Sequence, residues 1–213
     1  MLHTISQRAL ALCIVLLIAA RARAQTAPPA AEDPFAAHRW HVEGAVHAAS
    51  EAWNYNGSHE ELYGISEGLT YGVREGLVLT LNQRVYYLSQ RANDTWVLGV
   101  TFGIRGRVYR RGRTSAFLEG NVGISDAAIA APPRGTRFNY LAFGSGGVLV
   151  RVKPRIHLLA ALQLIHISNN SLRGPGRNPD IEAIGPRLGL VMGFGPHMSC
   201  GVRGSAVQDR IGR

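Results

Sequence analysis

Apolar and polar residues alternate along most of the chain after residue 38, as is typical of β-strands with two unlike faces. The clearest stretch runs from Trp96 to Tyr109. Its even positions are large and apolar apart from Gly106, whereas its odd positions from 99 to 107 are glycine, threonine or arginine. Because residues two apart on a strand point the same way, this segment has one apolar face and one polar or small face.

The alternation and the turn residues between its segments predict eight strands, at residues 39–53, 61–73, 76–89, 95–109, 114–124, 136–152, 155–168 and 181–194. Several exceed the roughly 9 to 11 residues that a tilted strand needs to cross a bilayer. The predicted connections are short after even-numbered strands and longer after odd-numbered ones, as in bacterial outer-membrane barrels. The sequence therefore predicts an all-β fold, an eight-stranded antiparallel up-and-down transmembrane β-barrel of the bacterial outer membrane.

Charged residues on the polar face favour this membrane barrel over a soluble sandwich or a lipocalin-like barrel. A soluble barrel would turn its apolar face inward and leave the charges outside. In a membrane barrel they face a narrow lumen, where we expect a stabilising network and no wide pore; these residues are Arg84, Arg105, Arg107, Glu119 and Arg187. Glu67 shares the phase of Ile65 and Leu69, which predicts a bulge or a switch of facing there.

The two ends of the chain differ from the barrel. Arg8 precedes an apolar run from Ala9 to Ala20, and Ala22-Arg23-Ala24 has the small-x-small pattern of a cleavage site, so residues 1–24 are predicted to be a signal peptide that is removed on export. A Pro/Ala-rich lead follows at 25–38, then the barrel at 39–194 and a C-terminal tail at 195–213. The predicted location is the outer membrane, crossed many times.

Composition excludes several classes of protein. The formal charge is +9, but the arginines are scattered and Lys153 is the only lysine, so no nucleic-acid partner is expected. A mean hydropathy of +0.00 excludes a helical membrane bundle. Cys200 is the one cysteine after the predicted signal, so an internal disulfide is excluded. Metal-ligand spacings and glycine-rich phosphate loops are lacking in the sequence, so no metal or cofactor is predicted.

Three polar residues interrupt the apolar face where strands seven and eight meet. The lipid-facing phase of strand seven ends in His166 and Ser168, and the same phase of strand eight begins with Glu182. A hydroxyl, an imidazole and a carboxylate are the nucleophile, base and orienting acid of a catalytic triad. With a periplasmic amino end, strand seven ends at the external surface, beside lipopolysaccharide. The alternative interpretation is a group of ordinary polar residues at strand ends.

The stretch His166-Ile167-Ser168-Asn169, followed by Asn178-Pro179-Asp180-Ile181-Glu182, resembles the His-x-Ser-Asn signature of the lipid A 3-O-deacylases. These are PagL-type enzymes, also called acyloxyacyl hydrolases. The resemblance implies an outer-membrane serine esterase that hydrolyses the 3-O-linked hydroxyacyl ester of lipid A and so remodels lipopolysaccharide. It also implies roles for individual residues: Ser168 as nucleophile, His166 as general base and acid, Glu182 as the group that orients the imidazole, and Asn169 and Asn178 as oxyanion or positioning groups.

The sequence departs from this family at two points. Asn170-Ser171 stands where the family often has Ala-Gly, which puts a backbone oxyanion donor in question. Asp180, in a longer loop, is a rival for the acid, although only Glu182 has the phase of His166.

The implied partners are lipid A and outer-membrane lipid, and a homodimer is left open. Arginines in or near the predicted external loops are candidates for lipid A phosphates, or form a solvated rim: Arg91, Arg134, Arg137, Arg173 and Arg177. The alternative function is a non-enzymatic small barrel that serves as an anchor, adhesin or stress protein.

Overall fold

A computed structural model describes residues 32–52, 59–91, 93–174, 176 and 178–194. Its strands are β1 (Trp40–Glu51), β2 (Glu61–Arg74), β3 (Leu77–Ser89), β4 (Thr95–Arg111), β5 (Thr114–Ala131), β6 (Thr136–Lys153), β7 (Ile156–Ser168) and β8 (Ile181–Phe194). Each strand pairs antiparallel with the next, and β8 pairs with β1, so the sheet closes into a barrel. The predicted all-β fold of eight antiparallel strands is confirmed. The predicted signal peptide and C-terminal tail lie outside the described residues.

The outside of the barrel is apolar. The even positions of β4 and the odd positions of β2 and β3 point outward, as the alternation predicts. Ile65, Leu118 and Val122 are 60%, 61% and 67% exposed. Such a wall is costly in water but suits the hydrocarbon of a bilayer, and closure of the sheet leaves no unpaired strand edge there. Among the described residues, no helix is long and apolar enough to cross a membrane.

The lumen is filled with side chains in three layers. A charged layer lies between two apolar clusters, which are built from the inward positions of several strands and, in one of them, also from Phe35 ahead of β1. In the charged layer, Arg105 contacts Glu43 at 2.7 Å and Glu119 at 2.9 Å, while Arg187 contacts Glu119 at 3.0 Å and also pairs with Glu43. Each of these four buried charges therefore touches two opposite charges, which offsets the cost of removing them from water.

The two ends of the barrel carry different connections. The terminal end holds the beginning of β1, the end of β8 and the turns at 75–76, 112–113 and 154–155. The loop end holds the ends of β1, β3, β5 and β7, the beginnings of the strands that follow them, and the described connecting residues: 52, 59–60, 90–91, 93–94, 132–135, 169–174, 176 and 178–180. The predicted end of strand five at residue 124, with a longer connection at 125–135, was wrong. Instead β5 continues to Ala131 and pairs with Thr136, which forms a β5–β6 hairpin with a short turn.

Glu67 also departs from its prediction. The ladder between β1 and β2 runs without a register shift from Trp40 to Ser50, and the bulge of β2 lies between Gly72 and Arg74. Glu67 therefore keeps the outward phase. It lies beside Gln83 of β3, which also points outward, so its carboxylate has a polar neighbour on the outer wall.

Residues 32–38 of the Pro/Ala-rich lead fold across the terminal end, which the sequence did not predict. The Phe35 ring is fully buried, and the Arg107 guanidinium lies 5.3 Å from its centroid. The Asp33 carboxylate accepts hydrogen bonds from Arg107 at 2.6 Å and Arg110 at 2.7 Å. The lead passes so close to β2 that a Cβ at Gly72 would lie 1.9 Å from the Ala36 carbonyl oxygen.

We expect Asp33→Asn to destabilise the barrel by about 1 kcal/mol at neutral pH, because it removes the negative charge between two arginines. Burial alone would raise the pKa of the Asp33 carboxyl, but the Phe35 amide and the Arg107 and Arg110 guanidinium groups outweigh it and lower this pKa below its usual 3.8. A lowered pKa stabilises the fold above about pH 4, and this contribution is lost as the pH falls.

The measurement is guanidinium-induced unfolding in detergent micelles at pH 7 and pH 2.5, with Asp126→Asn as an exposed control. The difference between wild type and Asp33→Asn should shrink at pH 2.5. An equal difference at both pH values would contradict this account of the lead.

Candidate functional site

The three residues of the predicted triad meet on the outside of the barrel at its loop end. His166 of β7 and Glu182 of β8 are direct partners in the ladder, and Ser168 follows His166 by two residues on the same side of β7. The Nε2 atom of His166 lies 2.9 Å from the Ser168 Oγ. The Nδ1 atom of the same ring lies 3.5 Å from a Glu182 carboxylate oxygen.

The imidazole of His166 thus lies between the hydroxyl and the carboxylate. A carboxylate at Nδ1 favours the tautomer with its proton on Nδ1, which leaves Nε2 free to accept the Ser168 hydroxyl proton. The distance to Glu182 is that of an ion contact and not of a short hydrogen bond. The His166 and Glu182 side chains are 39% and 33% exposed, whereas Ser168 is only 8% exposed. The arrangement can activate a nucleophile at the surface of the barrel.

Asp180 lies close to the same imidazole. One ligand atom each of His166, Asp180 and Glu182 lie within 4.8 Å of one another, a spacing that would also admit a cation, which the sequence did not predict. Glu182 is the acid that pairs with His166 in the ladder, whereas Asp180 precedes β8. The register of the sheet thus places Glu182, and not Asp180, opposite His166 on the outer wall. Which of the two acids orients the imidazole stays a prediction.

The chain turns sharply directly after Ser168. The Leu172 amide donates to the Asn169 carbonyl at 3.1 Å, and the two residues between them have positive φ, 49° for Asn170 and 60° for Ser171. These are the features of a type I′ turn, in which Asn-Gly is the favoured central pair. The backbone thus has the conformation that a glycine at 171 would favour, although the chain carries a serine there.

Asn169 and Asn178 lie in contact after this turn. One of the N–H groups that could serve as an oxyanion donor is used in that contact. The Asn169 backbone N–H donates to the Asn178 Oδ1 at 3.0 Å. That amide is consequently occupied and cannot serve an oxyanion in this conformation. The Asn178 Nδ2 has no hydrogen-bond partner among the described residues, so it is the donor that this pair offers. The oxyanion or positioning roles of both residues stay predictions.

The β5–β6 hairpin lies beside the site, and its aromatic residues were missed in the sequence. Tyr140 of β6 is the ladder partner of Ser168, and Phe138 contacts Tyr140 with 5.9 Å between ring centroids. Both rings point outward and are about two-fifths exposed. At the turn of the hairpin, Gly135 approaches the β7–β8 connection so closely that a Cβ there would lie 3.4 Å from Pro179. The sequence could have indicated these two rings, because Phe138 and Tyr140 share the outward phase of β6.

An open groove of about 570 Å³ separates the hairpin from the β7–β8 connection. Its lining combines apolar, polar and charged side chains and comprises Asp126, Ala130, Gly135, Thr136, Arg137, Phe138, Leu172 and Arg173. Of the five arginines that were candidates for phosphate contacts, Arg137 and Arg173 line this groove. Arg91 and Arg134 do not, and Arg177 lies outside the described residues.

Three solved structures of outer-membrane proteins have the same fold. Neisserial surface protein A superposes with a TM-score of 0.58 at 12% identity, covering 73% of this chain and 97% of that one. The outer membrane protein OprG from Pseudomonas aeruginosa gives 0.51 at 10%, covering 77% and 100%. The outer membrane enzyme PagL gives 0.50 at 16%, covering 70% and 97%. No family model and no curated protein sequence matches the chain. At these identities the likeness shows the fold alone.

We expect Ser171→Gly to stabilise the protein by about 1 kcal/mol, because glycine adopts positive φ without the steric cost that a side chain incurs. Chemical unfolding in micelles measures this difference. Ser171→Ala is the control, since alanine keeps the Cβ and should give no gain. A destabilised Ser171→Gly variant would show that the serine side chain contributes more to the turn than its backbone strain costs.

Proposed function

We propose that the protein is an outer-membrane serine esterase that hydrolyses the 3-O-linked hydroxyacyl ester of lipid A. The observation that carries this proposal is the continuous contact from the Ser168 hydroxyl through the His166 ring to the Glu182 carboxylate, on an otherwise apolar outer wall. A triad in that position can reach an ester held in a bilayer leaflet, whereas a triad in the filled lumen could not. The likeness of residues 166–182 to the lipid A 3-O-deacylases supports the same activity.

Location in the outer membrane is part of the proposal. The apolar wall and the aromatic residues near the two ends of the barrel suit a bilayer and its two interfaces. The predicted signal peptide would export the chain, and a periplasmic terminal end would direct the loop end to the outside. The site would then face the outer leaflet, where lipid A resides.

In the first step, the Ser168 Oγ attacks the ester carbonyl carbon while His166 Nε2 takes the hydroxyl proton. The nearby Glu182 carboxylate stabilises the imidazolium that forms. The tetrahedral intermediate carries a negative oxygen, for which the Asn178 Nδ2 is a candidate donor. As the intermediate collapses, the bond to the sugar oxygen breaks and Nε2 returns the proton to that oxygen, which leaves an acyl group on Ser168.

In the second step, water replaces the sugar. His166 Nε2 accepts a proton from a water molecule, whose oxygen attacks the acyl carbonyl. The bond to Oγ then breaks and the serine regains its proton. The products are a free 3-hydroxy fatty acid and the original enzyme, so no cofactor is consumed. The site at the loop end meets both reactants of this step, because it borders solvent as well as the apolar wall.

We expect lipid A from bacteria that express the protein to lose the mass of one 3-hydroxyacyl chain, and we expect Ser168→Ala to abolish this loss, since it removes the nucleophile. Mass spectrometry of extracted lipid A is the measurement. Ser89→Ala is the matched control, because Ser89 has the outward phase at the loop end of β3 but has no imidazole contact among the described residues. An unchanged acyl pattern with folded wild type would refute the activity and favour the non-enzymatic barrel.

We expect Glu182→Gln to lower kcat about 10- to 100-fold with little change in KM, because the neutral amide no longer stabilises the imidazolium. Asp180→Asn should change kcat less than about threefold. Both values are obtained with purified protein and lipid A in micelles. If Asp180→Asn were the more damaging variant, Asp180 would be the orienting acid and the register argument for Glu182 would be wrong.

A further inference from the structure

We infer that the groove between the β5–β6 hairpin and the β7–β8 connection is a phosphate subsite, in which Arg137 and Arg173 bind a phosphate of the glycolipid whose ester reaches Ser168. This inference rests on the proposed function and extends it to how the substrate is held. The groove volume of about 570 Å³ is in the usual range for a small-molecule site.

The groove lies next to the candidate triad on both of its sides. On the hairpin side, Phe138 is two residues from Tyr140, the ladder partner of Ser168. On the other side, Leu172 is the last residue of the turn that begins at Asn169, and Arg173 directly follows it. The groove therefore borders Ser168 on two sides: its lining on β6 begins two residues from the ladder partner of Ser168, and its lining in the β7–β8 connection begins at Leu172, four residues after Ser168. We infer that one lipid molecule contacts both the groove and the hydroxyl.

The two arginines have donors to offer. Arg137 donates from Nε to the Ala127 carbonyl at 2.8 Å and from Nη2 to the Asp126 carboxylate at 3.2 Å. Its Nη1 has no partner among the described residues. Arg173 is exposed and makes no hydrogen bond within the described part of the chain. Asp126 is the one acidic residue in the lining, so two cations against one anion leave the groove positive.

The surroundings of these charges favour an anionic lipid over a soluble anion. Phe138 is 42% exposed and Leu172 is 59% exposed, and both contribute apolar surface to the same groove. Guanidinium groups bind phosphate in a bidentate manner, while exposed apolar side chains beside them suit acyl chains. Lipid A combines phosphate, acyl chains and the ester in one molecule. A glycerophospholipid has the phosphate and acyl chains but lacks the phosphorylated sugar, so we commit to the glycolipid.

The first test measures binding without turnover. Ser168→Ala protein in micelles is titrated with phosphorylated lipid A, with enzymatically dephosphorylated lipid A and with phosphatidylglycerol. We expect the phosphorylated form to bind about three- to tenfold more tightly than the other two, a range set by exposed charge-assisted contacts. Adding Arg173→Gln or Arg137→Gln should remove this preference. Arg137→Lys keeps the charge and should retain part of it, and Arg91→Gln, outside the groove, should retain it fully.

The second test measures kinetics of variants that keep Ser168. Arg173→Gln should raise KM for phosphorylated lipid A about three- to tenfold and leave kcat nearly unchanged. Equal binding of the phosphorylated and dephosphorylated forms, or binding of phosphatidylglycerol as tight as that of lipid A, would overturn the subsite. Phosphate-dependent binding without deacylation would support the subsite while refuting the esterase, so the two failures are distinguishable.

Discussion

The closed ladder of the barrel is the constraint on which the rest of the structure depends. Because each strand pairs on both sides and β8 returns to β1, every strand residue points either into the lumen or to the outer wall. The register between β7 and β8 makes His166 and Glu182 direct partners on the outer wall. A slip of one residue would turn one of them inward and separate the imidazole from its acid.

Side chains fill the lumen, and this packing supports the candidate site on the outer side of the same sheet. In the middle of the barrel Arg105 and Arg187 pair with Glu43 and Glu119, and the lead closes the terminal end with its buried Phe35 ring. A barrel that is packed in this way offers a rigid outer wall for groups that must be held within tenths of an ångström. It also leaves the outer wall, and not the lumen, as the surface on which the proposed reaction would take place.

Much of this arrangement could be predicted from the sequence because a strand has a period of two. The alternation predicted eight strands, the outward phase of His166, Ser168 and Glu182, and inward charges such as Arg105. It could not predict where β5 ends, because residues 125–131 include four alanines and lack a run of large alternating side chains. The folding of the lead over the terminal end and the groove beside Phe138 depend on contacts between segments distant in the chain, which periodicity does not report.

The resemblance to the deacylases is limited to one short segment, whereas the barrel is shared with all three solved structures. Residues 166–182 resemble the signature of the lipid A 3-O-deacylases. The I′-like turn after Ser168 has a backbone conformation that favours glycine, although the chain carries Ser171 there. The three solved structures share the barrel at only 10 to 16% identity, which shows the fold and no activity. The assignment of an activity therefore depends on the reactivity of Ser168.

The most direct measurement is covalent labelling by a fluorophosphonate that carries a fatty acyl chain, followed by peptide mass spectrometry. An activated serine on the outer wall predicts one modified peptide that contains Ser168, with labelling lost in His166→Ala and retained in Ser89→Ala. A folded barrel whose Ser168 is not modified, or is modified equally without His166, would contradict the account.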